Sequence, residues 1–292
     1  MILRKSRLPP GWYPQTPEKI RAFLAETPPR GTAGGPGEPA LAAIAPHAGW
    51  FYSGLLAARA VSALRAGAGT VVVIGGHLPA GMRPLFAEEE GVETPLGTIP
   101  MDSEFRDMLR RELGGGPDRY QDNTVEVQVP LVRYFFPGAK LLWMRLPGEI
   151  GSLEAGKEIA RIGALLKRDT VVLGSTDLTH YGDHYDFTPR GRGRQALDWV
   201  KKVNDAAFIS AVLSGNPRRI LERAGQDRSA CSVGAVLGAL GFAQARGAER
   251  AELLAYKTSL DGQTSIDGPE AAPPGPEDDV GSFVGYGAFA WY

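Results

Sequence analysis

The chain is poor in the residues that usually announce chemistry. It has one cysteine, Cys231, and four histidines in 292 residues. A single cysteine excludes an internal disulfide and any all-cysteine metal site. There is no GxxxxGK[ST] phosphate loop, no HExxH and no GxSxG elbow. GGH after TVVVI lacks the glycine spacing of a dinucleotide fingerprint. No apolar run approaches the ~18 residues that span a bilayer. The start, MILRKSRLPPGWYP, has basic residues but no apolar core behind them, so no secretory signal is expected. Net charge is −1, which gives no electrostatic case for nucleic acid or an anionic membrane. Cytoplasmic placement is the expectation.

What is present belongs to a globular α/β chain. Hydrophobic residues make up 43% and charged residues 22%, values that fit a packed core and a charged surface. No internal repeat is found. Thr16 with Pro17 marks a helix start ahead of PEKIRAFLAET. The stretches 27–39 and 261–281, rich in Gly and Pro, are expected as loops. Between them the pattern alternates strand, turn and helix. Leu41–Ala45, TVVVIGGH (70–77), AKLLWMRL (139–146) and TVVLG (170–174) are strands, and the β-branched runs indicate burial on both faces. EEEGVETPLGTIPMD suggests a hairpin, DSEFRDMLRREL a capped helix, and SLEAGKEIARIGALLKR an amphipathic helix. NTVEVQVPLVRYFFP is a helix or a strand-like turn. RGRGRQALDWVKKVNDAAFISAVLSG carries one or two helices, and AELLAYKTSL and SFVGYGAFAWY are late strands.

Three of these strands end in ionisable residues: His47, His77, and Asp177 with His180. If the strands are parallel neighbours, these ends share the sheet edge where open α/β folds bind ligands. Cys231 stands at the start of a small-residue helix, where free N–H groups suit an anion. Two imidazoles and one thiolate make a three-ligand metal site with open positions, of a kind that iron, zinc or copper accepts. Each residue also has a plain structural reading. Cys231 fits as a small buried hydrophobe. His77 fits as a partner of a loop carbonyl, and Asp177 as an Asx-turn former. Asp183 and His184 follow as solvated loop residues.

The stretches PGWYP, APHAGWFYSG, VVVIGGH, ETPLGTIPMD, NTVEVQVPL, STDLTHYG, the Cys231 segment and SFVGYGAFA run in one order along nearly the whole chain. Together they resemble the MEMO family, whose prokaryotic members are called AmmeMemoRadiSam system protein B. The resemblance implies one three-layer α/β/α domain over residues 1–292, with a central mostly parallel or mixed sheet. It also implies a fold similar to class III extradiol dioxygenases of non-haem iron. It places His47, His77 and Cys231 around a metal, iron(II) first and copper second. His180 takes the place of a proton-transfer histidine, Asp177 accompanies it, and Trp50 and Tyr52 form the pocket wall. The chain departs from the family pattern at Leu78, at Asp122, Asn123 and Thr124, and at Ser232. The first two departures remove imidazoles from the outer pocket and leave His180 as the main acid–base candidate.

Three activities follow from this reading. The first is a metal-dependent, dioxygenase-like oxidoreductase acting on a small molecule. The second is a binding module for a peptide, with Trp50, Phe51 and Tyr52 as its surface; an AMMECR-like protein and a radical SAM protein are the partners the resemblance implies. The third is a hydrolase with Cys231 as nucleophile and His180 as base.

Overall fold

A computed structural model of the chain describes residues 2–25, 27, 39–261 and 281–292. The two loops expected at 27–39 and 261–281 fall almost entirely outside these residues. A run such as TVVVI has no polar face to offer water, so it must lie between two layers. Four such strands form the middle of a nine-stranded mixed sheet. They are β1 (Ala42–Ala45), β2 (Thr70–Leu78), β3 (Lys140–Pro147) and β4 (Thr170–Ser175). All run parallel in the order β1, β4, β2, β3; Ile44 lies opposite Gly174, Val72 opposite Val172, and Val73 opposite Trp143. The late strands β5 (Ala251–Thr258) and β6 (Phe283–Trp291) extend the sheet antiparallel beyond β1. The first residues of β6 also pair with His180–Tyr181.

The helices are α1 (Pro17–Leu24), α2 (Trp50–Ala63), α3 (Ser103–Glu112), α4 (Asn123–Glu126), α5 (Val129–Phe135), α6 (Gly151–Leu165), α7 (Arg194–Trp199), α8 (Asp205–Leu213), α9 (Pro217–Gln226) and α10 (Val233–Ala245). Side chains alternate along each strand, and the two faces bury different helices. Ala43, Ala45, Val71, Val73, Leu141 and Trp143 pack with α1, α2 and α5. Ala42, Ile44, Val72, Ile74, Leu142 and Met144 pack with α3, α6 and α8 to α10. The expected three-layer α/β/α arrangement is present. The segment 123–137 resolves into the helices α4 and α5. The 88–102 hairpin pairs Gly91–Val92 with Ile99–Pro100, and Leu3–Arg4 joins it as a third strand. Between α7 and α8 the chain makes a π-helical turn, Val200–Asn204.

The parallel order has one consequence for function. The carboxyl ends of β1, β2 and β4 are neighbours, so the segments carrying His47, His77 and Asp177 leave the sheet side by side. Cys231 is not within a helix: α10 starts at Val233 with Ser232 as its cap residue.

Candidate metal site

His47 follows β1 after Pro46 and is buried. Its backbone N–H donates to Asp177 Oδ1 at 2.7 Å, which ties the end of β1 to the end of β4. Its ring Nδ1 lies 3.2 Å from Ser175 Oγ, which also accepts from the Gln128 amide at 3.1 Å. With the proton on Nδ1, that ring keeps a lone pair on Nε2, which lies 3.2 Å from Cys231 Sγ.

His77 stands in a left-handed backbone conformation, φ 55°. A non-glycine residue there carries strain that its surroundings must hold. Its ring lies edge-on to that of His47, with centroids 5.0 Å apart. Its Nδ1 is 3.0 Å from Asp122 Oδ2, so Nε2 is left for the pocket. The two preceding glycines make this approach possible. A Cβ on Gly75 would lie 2.2 Å from Thr124 Oγ1, and one on Gly76 would lie 2.3 Å from Ser232 Cβ.

Cys231 is brought in by backbone bonds: its N–H donates to the Asp177 carbonyl at 3.3 Å, and the Ser232 N–H donates to Thr176 Oγ1 at 3.1 Å. One ligand atom from each of His47, His77 and Cys231 lies within 4.8 Å of the others. The structure therefore brings these three sequence-predicted residues together. The donor set fits a transition metal. Imidazole and thiolate suit iron, copper or zinc, and each ring has its other nitrogen engaged, as ligating histidines usually do.

Asp177 is buried beside this cluster, with Oδ2 3.8 Å from His47 Nε2. His180 lies on the same pocket, and its Nδ1 is 3.1 Å from the Leu178 carbonyl. A carbonyl only accepts, so the proton sits on Nδ1 and Nε2 is the basic atom. Burial lowers the His180 pKa, against the opposing charge of Asp177. The ring is then neutral at pH 7 and able to take a proton. His77 goes the other way. Burial opposes its charge, but hydrogen bonds with Asp122 and Cys231 outweigh that and raise its pKa to about 9. Burial likewise opposes the charge of Asp122, but the His77 and Thr124 hydrogen bonds and the Arg145 charge hold its pKa well below the usual range.

A cavity of about 710 Å³ opens over the two imidazoles of the cluster, lined among others by Trp12, Tyr52, Asn123, Tyr185 and Tyr286. Tyr52 is on its wall. Trp50 is not: it is 1% exposed, packs at a tilt against Phe23 with centroids 5.3 Å apart, and donates Nε1–H to the Val127 carbonyl at 3.0 Å. That expectation is corrected. Residues 50 and 52 lie about 200° apart around a helix, so they face opposite ways. The thiol's ring partner is His47, whereas a Cys231–His180 hydrolase pair needs His180 in that place. His184 is exposed, with Nδ1 3.0 Å from Ser282 Oγ.

Sequence reading missed the residues that hold His77 from behind. Arg145 donates Nε–H to the Gly76 carbonyl at 2.8 Å and pairs with Asp122 at 3.2 Å and Asp118 at 3.4 Å. Asp118 in turn accepts from Trp143 Nε1 at 2.9 Å. Within the sequence Arg145 is only one polar residue in a strand, and nothing local signals its partners.

The fold and this cluster define an α/β protein with a two-histidine, one-cysteine pocket at the carboxyl edge of its parallel strands. A family model described as Memo-like protein matches residues 4–268. The chain belongs to that family. It is 30% identical over 267 residues to a MEMO1 family protein of Archaeoglobus fulgidus, covering 89% of this chain and 94% of that one. A MEMO1 family protein of Pyrococcus furiosus is 31% identical over 242 residues, covering 77% and 82%. One of Methanopyrus kandleri is 31% identical over 230 residues, covering 75% and 76%. No helix among the described residues is long and apolar enough to cross a membrane.

Proposed function

We propose that the chain is a metal-dependent oxidoreductase acting on a small molecule, of the dioxygenase-like type that the family resemblance implies. The observation that carries the reading is the convergence of His47, His77 and Cys231 ligand atoms within 4.8 Å, with both imidazoles on the wall of an open cavity. These three residues would hold iron(II), with copper as the alternative, since thiolate and imidazole favour such ions over magnesium. Bound there, the ion supplies Lewis acidity and electron exchange to whatever occupies the cavity.

The chain's own residues supply the rest. Nε2 of His180 accepts a proton from the bound molecule and returns it later, and the Leu178 carbonyl keeps the ring in the tautomer that can do so. Asp177 keeps the His47 segment in place and offsets the charge His180 acquires. Trp12, Tyr52, Tyr185 and Tyr286 wall the cavity with aromatic surface and limit water. Single-turnover oxygen uptake by anaerobically iron-loaded protein tests this. Uptake that depends on His47 and Cys231 supports it, and uptake equal in His47→Ala counts against it.

A second reading is favoured by Tyr52, which is 40% exposed at the cavity rim. In that reading the cavity docks a peptide or a partner of the AmmeMemoRadiSam system, such as an AMMECR-like or radical SAM protein. A stable complex that survives Cys231→Ser favours docking over turnover.

A further inference from the structure

One buried carboxylate has no part in the metal cluster. Asp205 is fully buried at the first turn of α8, directly after the π-helical turn Val200–Asn204. No ion pair to it forms among the described residues. Its Oδ1 accepts from Thr179 twice, from the backbone N–H at 3.1 Å and from the hydroxyl at 2.5 Å. Its Oδ2 accepts from the Tyr256 hydroxyl at 2.7 Å. The neighbouring Asn204 amide donates to Thr179 Oγ1 at 2.9 Å and to the Asp227 carbonyl at 2.9 Å. Gly285 of β6 is cut to fit, because a Cβ there would lie 2.1 Å from Oδ2.

A buried carboxylate without a cation costs stability, and a chain that keeps one has a use for its hydrogen bonds. Thr179 is the residue before His180. Its N–H and hydroxyl go to Asp205, and its carbonyl accepts from Gly285 N–H at 2.9 Å. Leu178, whose carbonyl sets the His180 tautomer, donates its own N–H to the Gly285 carbonyl at 2.8 Å. Four hydrogen bonds, two to Asp205 and two to Gly285, therefore hold the two residues before His180. The π-helical turn ends at two adjacent buried side chains, Asn204 and Asp205, that share Thr179 as a partner. Asn204 then reaches the Cys231 approach at Asp227 while Asp205 reaches Thr179.

We propose that Asp205 is a positioning residue: with Thr179, Asn204 and Tyr256 it fixes the orientation and tautomer of His180 at the pocket. The inference rests on His180 as the working imidazole of the proposed function. Its test is chosen to be independent of turnover. Histidine ring ¹⁵N and ¹³C NMR reports the His180 tautomer, assigned by loss of its signals in His180→Gln. In wild type and Asp205→Asn, which keeps an acceptor for Thr179 and a donor for Tyr256, the signals report the Nδ1–H form. In Asp205→Ala and in the milder Thr179→Val, which removes the hydroxyl only, the ring loses that single form and its signals shift and broaden. Cobalt uptake by His47, His77 and Cys231 stays within about twofold of wild type in all of them. Unchanged His180 signals in Asp205→Ala overturn the proposal, and if that variant does not fold, unchanged signals in Thr179→Val do so. A His180 that is well positioned yet dispensable for turnover contradicts the proposed function and leaves this inference standing.

Discussion

Asp122→Asn isolates the support that the pocket gives to His77. The carboxylate faces the ring Nδ1 at 3.0 Å, pairs with Arg145 at 3.2 Å, and accepts the Thr124 N–H at 2.9 Å as cap of α4. Asparagine keeps the cap by turning its oxygen to Thr124, so the fold is retained, and its NH2 group then takes the place of Oδ2 opposite His77 Nδ1 and Arg145. What it removes is the charge that raises the basicity of the ring and holds its plane. Losing such an outer partner typically costs 10–100-fold in metal affinity, or ~1.4–2.8 kcal/mol. The His77 side chain is 34% exposed, which screens part of the charge. The expected loss is therefore at the lower end, about tenfold for Asp122→Asn and more for Asp122→Ala. Competition between the protein and a chromophoric chelator for cobalt(II) or zinc(II) measures it. In the metal-free protein, NMR titration of His77 should show its pKa moving from about 9 toward 6.5. Asp122→Asn with unchanged affinity and an unmoved His77 titration would refute the reasoning, because the carboxylate would then be only a helix cap.

Other outcomes follow from the same geometry. Gly76→Ala places a Cβ 2.3 Å from Ser232 Cβ, so it should lower stability by about 1–3 kcal/mol in urea melts and also weaken metal binding, because the Cys231 segment must move. Trp50→Ala should cost ~3–5 kcal/mol in the same melts while the folded fraction binds metal normally, since the ring is core and not pocket. Asp205 gives a pH dependence with a definite sign. Burial raises its pKa from 3.8 to about 6, against the hydrogen bonds from Thr179 and Tyr256. The folded state therefore binds this proton more tightly than the unfolded chain does. The stabilisation is full below pH 3.8 and is lost as pH rises through about 6, a difference of about 3 kcal/mol. Stability of wild type relative to Asp205→Asn, followed between pH 4.5 and 7.5, should fall by most of that amount; a flat difference contradicts it.

Much of the fold is legible in the sequence for a simple reason. Strands buried on both faces cannot hide among polar residues, so TVVVI and TVVLG show themselves, and their ends then mark the ligand edge. His47, His77, Asp177 and His180 are visible because each lies at or within a few residues of the carboxyl end of such a strand. Cys231 was visible because it is the only cysteine, though its place just outside α10 depends on backbone bonds to Asp177 and Thr176. Trp50 was misplaced because its segment looks uniformly aromatic until the helix phase separates it from Tyr52. Arg145 and Asp205 are not legible at all, and Asp122 shows only as a departure from the family pattern, not as the partner of His77. Their partners lie far away in sequence, and long-range polar pairs leave no local periodicity. The left-handed His77 belongs with them, since only the surrounding contacts make that conformation tenable.

The central claim is that two imidazoles and one thiolate form one metal site. Anaerobic cobalt(II) titration tests it most directly, because a thiolate ligand gives a sulfur-to-metal charge-transfer band that histidine alone does not. Wild type should take up one ion per chain with that band. Cys231→Ser should lose the band and bind more weakly, and His47→Ala and His77→Ala should bind weakly with circular dichroism unchanged. Wild type and His47→Ala that take up cobalt equally poorly, or a Cys231→Ser spectrum identical to wild type, would contradict the account.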